Sequence, residues 1–162
     1  MTNLEYLRMR IPDKDTLNPI FSDNELQEII QLNTEIKVFE AEQVDVEGTI
    51  YKIPAQRLDE DYQERVFLDF LDVSNEITSG FTVNKQVGWI IFDEGITDRN
   101  IYVQAKVINW DNVLAECYES IMGDINKLNS YSIQNASQQM DDTKAHLRYL
   151  VNYYRSPRGW DL

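Results

Sequence analysis

Cysteine and histidine are nearly missing from this chain, one of each in 162 residues. A single cysteine rules out an internal disulfide framework and leads us to expect a reducing, cytosolic setting. Two potential soft ligands in all cannot build a zinc site, which needs several. Cys117 falls on the apolar face of a helical pattern, where a buried thiol is the expected state. His146 sits between Lys144 and Arg148 on a surface-type helix, and no Gly-x-Ser-x-Gly elbow accompanies it. Neither GxxxxGK[ST] nor GxGxxG occurs, so no phosphate-cradling loop is expected. No apolar run approaches the roughly 18 residues of a membrane span, and MTNLEYLRMR lacks a signal-peptide layout. Bases are scarce as well: 15 against 28 acids, a net charge of −13. A free-standing nucleic-acid binder needs a basic surface to release counterions, and this chain has no such surplus.

What the chain does have is helical periodicity at its ends. In its last third, Leu114, Cys117, Tyr118, Ile121, Ile125 and Leu128 form one apolar stripe. Met140, Leu147, Leu150, Val151 and Tyr154 form a second, with Pro157 as a stop signal after a Ser/Asn/Gln-rich link. At the other end, Thr2 and Glu5 fit a capping box, and Leu4, Leu7 and Ile11 share one side before Pro12. Ser22 and Glu25 fit another, with Phe21 and Leu26 placed for a hydrophobic staple.

Between Ile36 and Asn109 the texture turns to short, β-branched and aromatic runs: IKVFEAEQVDV, TIYKI, VFLDFL, ITSGFTVN, GWIIFD and IYVQAKVIN. In the last of these, Ile101, Val103, Ala105 and Val107 alternate against Tyr102, Gln104, Lys106 and Ile108. FTVNKQVGWIIFD reads as a hairpin turning near Asn84 to Gly88. The fold class expected is α+β, mainly α: a small helical bundle with an antiparallel β module inserted between the second and third helices. Residues 1–162 are read as one domain, with helical parts at 1–35 and 110–155, the β insertion at 36–109 and a tail at 156–162.

Carboxylates cluster at Asp59, Glu60, Asp61 and Glu64, and again at Asp141 and Asp142. Both clusters lie in polar stretches expected to be exposed, without the apolar surroundings that would raise a pKa for acid–base work. The second is better placed as first-turn acids of a helix. No catalytic constellation, metal site or cofactor site is expected. The tail RSPRGWDL carries arginines and a tryptophan beyond the last helix, a composition typical of interface anchors.

The order of LEYLRMRI, the capped FSDNELQEII, WDNVLAECYESIMGDINKL, the SYSI link and a final helix ending LRYLVNYYRSP resembles the head–tail connector proteins of tailed bacteriophages, also called adaptors or head-completion proteins. The resemblance covers roughly residues 3–32 and 110–157. KVINWDNVLAE is similar to the strand-to-helix junction of longer members that carry a β-rich insertion. The resemblance implies a homo-oligomeric ring, typically twelvefold, beneath the portal of the filled capsid in the virion neck, after assembly in the host cytoplasm. Such a ring extends the channel through which DNA passes without specific binding, and offers a platform for the stopper or tail. It implies no covalent chemistry and no membrane partner. By analogy with the family's tails, Tyr153, Arg155, Arg158, Trp160 and Leu162 become candidates for portal docking. The hairpin residues Phe81, Val83, Trp89 and Phe92 become candidates for a tail-side or inter-subunit contact. The alternative reading of −13 is an acidic inhibitor that imitates DNA, which requires carboxylates spaced along one long face.

Overall fold

The computed structural model of the chain describes residues 1–13, 15–134 and 140–156, the side chains of 140 and 141 excepted. Its elements are, in order, α1 (Asn3–Arg10), α2 (Asp23–Leu32), β1 (Thr34–Gln43), β2 (Ile50–Lys52), β3 (Arg65–Leu68), β4 (Glu76–Ile77), β5 (Phe81–Asn84), β6 (Trp89–Phe92), β7 (Ile101–Ile108), α3 (Trp110–Gly123), α4 (Ile125–Gln134) and α5 (Met140–Arg155). A 3-10 turn at Val73–Asn75 precedes β4. The chain divides into two compact units. Met1–Asn33 joins the described residues from Asn109 onward in one, and Thr34–Ile108 forms the other.

In the helical unit, Thr2 and Ser22 both make full capping boxes, each with a glutamate three residues on, and so satisfy amides that the first turn cannot. Phe21 and Leu26, on either side of the second cap, are both buried. Asp13 joins α1 to α2: its carboxylate accepts from the backbone N–H of Ile20 at 2.8 Å and Phe21 at 3.2 Å, and from Arg8 Nη1 at 3.0 Å. α3 buries Val113, Leu114, Ala115, Cys117, Tyr118 and Ile121, and α5 buries Leu147 and Val151. Tyr118 stacks on Tyr154, ring centroids 6.0 Å apart. The long stripe expected through Ile125 and Leu128 is broken. α3 stops at Gly123, and Asp124 starts α4 by accepting from the N–H of Asn126 at 2.8 Å and Lys127 at 3.2 Å. Ile125 is therefore exposed while Leu128 and Tyr131 face inward, and SYSI lies within α4 instead of forming a link.

In the other unit, seven strands form one curled antiparallel sheet, a half-barrel, in the order β4-β3-β7-β1-β2-β6-β5. β1 and β7 are its spine, paired from Thr34↔Ile108 to Ala41↔Ile101. The inner face buries Val66, Ile90, Phe92, Ile101, Val103 and Ala105 among others. The two edge strands, β4 and β5, are consecutive in sequence and separated only by residues 78–80. The segment between β2 and β3 runs across one end of the sheet. Ile53, Arg57, Leu58 and Asp59 donate backbone N–H groups to the carbonyls of Gly88, Gln86, Lys85 and Lys106, and Leu58 is buried there. Gly88 has φ +70, and a Cβ on it would lie 2.0 Å from the Ala55 carbonyl oxygen, so this crossing needs glycine.

The expectation of a mainly helical bundle with a small β insertion is thus corrected. Helices make up 40% of the described structure, and the β part is a seven-stranded sheet with its own core. The physical reason is closure. Each short strand offers only one or two inward residues, but curling seven of them together makes a continuous apolar interior.

Candidate interaction surfaces

Tyr153 and Arg155 lie on the last turns of α5. Tyr153 is half-exposed beside the ring of Tyr149 at 6.3 Å and edge-on to Tyr154 at 5.2 Å. Arg155 Nη2 donates to Glu119 Oε2 at 2.6 Å, clamping the end of α5 to α3. Arg158, Trp160 and Leu162 lie outside the described residues. A groove of about 340 Å³ beside this clamp is lined by Glu119, Met122, Gly123, Lys144 and Arg148.

The four hairpin residues come together on β5 and β6 but differ in exposure. Phe81 and Phe92 are cross-strand partners with rings 6.1 Å apart. Phe92 is buried, and Phe81 and Val83 are partly buried against the sheet core. Trp89, opposite Asn84, presents 37% of its surface. Trp89 is thus the residue of the four that stands most available to a partner.

No described group of three or more His, Cys, Asp or Glu is placed to hold a metal ion. Among the described residues, no helix is long and apolar enough to cross a membrane. Cys117 is fully buried, and burial pushes its thiol up to about 12, far from a nucleophile's range. The acidic stretch after Asp59 is less exposed than its composition implies. Glu64 is 7% exposed, with Lys85 Nζ 3.4 Å from its Oε1. That ammonium also donates to the carbonyls of Asp59 at 3.0 Å, Glu60 at 3.1 Å and Tyr62. Three acceptors exhaust an ammonium's three protons, and Glu64 Oε1 has no hydrogen bond. Asp59 pairs with Lys106 at 3.0 Å. This is a charged staple across the end of the sheet.

A further surface went unread in the sequence. Antiparallel register brings three loops to the end of the sheet opposite the Thr34–Ile108 pair: residues 44–49, 69–75 and 93–100. They expose Val44 (47%), Val46 (91%), Phe70 (67%), Leu71 (54%) and Val73 (78%). They are also braced. Asp45 accepts from the amides of Thr49 and Ile50, and Asp72 accepts from Ser74 and Asn75. Those hydrogen bonds, first from the Thr49 and Ser74 side chains, hold both carboxyls below the usual range. Ile96 N–H donates to Gly48 C=O at 2.9 Å, and Asp69 N–H to Asn100 C=O at 2.7 Å, so the 93–100 loop is tied to each of the other two. Gly48 has φ +69, and a Cβ there would meet Ile96 O at 2.5 Å. In sequence the strand run VFLDFL reads on through Phe70-Leu71, whereas β3 stops at Leu68 and leaves that pair on a loop between two aspartates.

No protein-family profile matches the chain, nor does any curated protein or any solved structure.

Proposed function

We propose that this protein is a structural head–tail connector of a tailed phage, acting by binding and channel geometry and without covalent chemistry. The observation that carries the reading is where the resembling stretches end up. Residues 3–32 and 110–157 are far apart in sequence, yet Met1–Asn33 and the described residues from Asn109 onward fold as one compact helical unit. A motif order split by an insertion keeps meaning as a single recognition body only if its halves fold together. On this reading the helical unit builds a ring under the portal, and the separately cored sheet unit is free to serve a second contact. The DNA-imitating inhibitor is the less favoured reading. Such a mimic needs free, regularly spaced carboxylates, whereas Asp13, Glu25, Asp59, Glu64, Asp69, Glu76 and Glu119 are all engaged in ion pairs.

The test uses the tail. Its sequence, RSPRGWDL, contains Pro157 and Gly159, the residue types least favourable to helix. Intact protein and protein lacking residues 156–162 are mixed separately with DNA-filled, connector-deficient heads, and bound protein is scored by sedimentation. The expected result is that intact protein co-sediments in ring stoichiometry while the truncated form, with an unchanged melting temperature, stays in solution. Failure of the intact protein to bind portal-bearing heads would remove the connector reading. Equal binding by both forms would move docking away from the tail.

A further inference from the structure

We infer that the three-loop end of the sheet unit is a preformed docking surface for a protein partner that presents an apolar patch rimmed by lysine or arginine. The inference stands on the sheet unit alone and does not require the ring. Its first support is placement: Val46, Phe70, Leu71 and Val73 are exposed on two loops at the same end of the sheet, each bonded through its backbone to the 93–100 loop, by Gly48–Ile96 and by Asp69–Asn100. Exposed apolar residues scattered singly need no explanation, but such residues gathered on braced loops at one end of a sheet do. Second, the loops are already ordered by the Asp45 and Asp72 hydrogen bonds, so binding sacrifices little conformational freedom.

Charge selects the occupant. Residues 44–49, 69–75 and 93–100 hold seven acids (Asp45, Glu47, Asp69, Asp72, Asp93, Glu94, Asp98) against one base, Arg99, which is itself paired with Asp69. A second copy meeting this surface face to face would oppose acid with acid. An anionic bilayer or a nucleic acid would do the same. A basic rim around an apolar centre satisfies both the charge and the exposed side chains, and adds steering that fades with salt.

The experiment uses the full chain, isotope-labelled, with two probes: amphipathic helical peptides sharing one leucine face, flanked by lysines in one and by glutamates in the other. The lysine peptide should shift amide resonances of residues 44–49, 69–75 and 93–98, while the glutamate peptide should leave them in place. The double change Phe70→Ser, Leu71→Ser should weaken lysine-peptide binding by about tenfold or more with an unaltered melting temperature, since both side chains are exposed. Raising salt should weaken it too. Equal response to both peptides, response to neither, or shifts centred elsewhere would overturn the inference. So would concentration-dependent self-association that the double change abolishes, which would make the occupant a second copy. Binding to phosphatidylglycerol vesicles lost in the double variant would make it a membrane.

Discussion

Lys85 illustrates how much one side chain can hold. It ties three carbonyls of the segment crossing the end of the sheet and neutralises Glu64, which is buried beside it. Lys85→Met keeps the length of the stem but removes every one of those bonds. It should cost about 3–5 kcal/mol, the usual consequence of stranding a buried charge. Adding Glu64→Gln should recover part of that loss, because the carboxylate's charge is gone while the carbonyls stay unpaired. Chemical denaturation of the two variants checks both statements; an additive double variant would mean that Glu64 and Lys85 do not interact. Asp59 to Glu64 looked like a solvated acidic run because composition reports polarity but not partners. Lys85 and Lys106, the cations that draw Glu64 and Asp59 in, come from the β5–β6 turn and from β7, well along the chain.

Among the elements, those with short-range signatures were readable in advance. The two capping boxes each need four residues, and the β5–β6 hairpin turns where Asn84 and Gly88 stand. The α3–α4 break was not read, although Gly123-Asp124 is a stop followed by a cap, because a stripe through Ile125 and Leu128 masked it. That break matters for α2. It places Lys127, on the first turn of α4, 2.6 Å from Glu25 Oε1 and 4.6 Å from the Phe21 ring centroid. The bond from Lys127, and next the Ser22 amide, hold the Glu25 carboxyl below its ordinary value. A lowered carboxyl stabilises the fold above the unfolded-state pKa of about 4.3, and that contribution disappears as pH falls through the folded-state value. Because Glu25 is 44% exposed, the effect at neutral pH should be small, about 0.5 kcal/mol. Wild type should therefore melt slightly above Glu25→Gln at pH 7, and the difference should vanish at strongly acidic pH. A difference that persisted there would point to packing and not to charge.

At the scale of the whole molecule, the sheet was the least legible part. Individual strands announce themselves by alternation, but β1–β7 and β3–β7 join residues dozens of positions apart, and no local pattern states that seven strands will curl together. The candidate site divides the same way: Trp89 on its hairpin was readable, whereas the three-loop end exists only once the register is set. A sheet with its own core should also stand on its own. Residues 34–108 expressed alone should give a cooperative melt and dispersed amide resonances. A molten, unresolved spectrum would show that the sheet unit depends on the rest of the chain.

The pairing of Thr34 with Ile108, and the 2.9 Å bond from Asn109 N–H to Asn33 C=O, have a consequence for inheritance. A segment that leaves and rejoins its host at one hydrogen-bonded junction behaves as a cassette. Recombination can lengthen, shorten or replace it without moving the ends of the helices that flank the splice. The loops at its far end, 44–49, 69–75 and 93–100, can then be exchanged with it while the junction stays as it is.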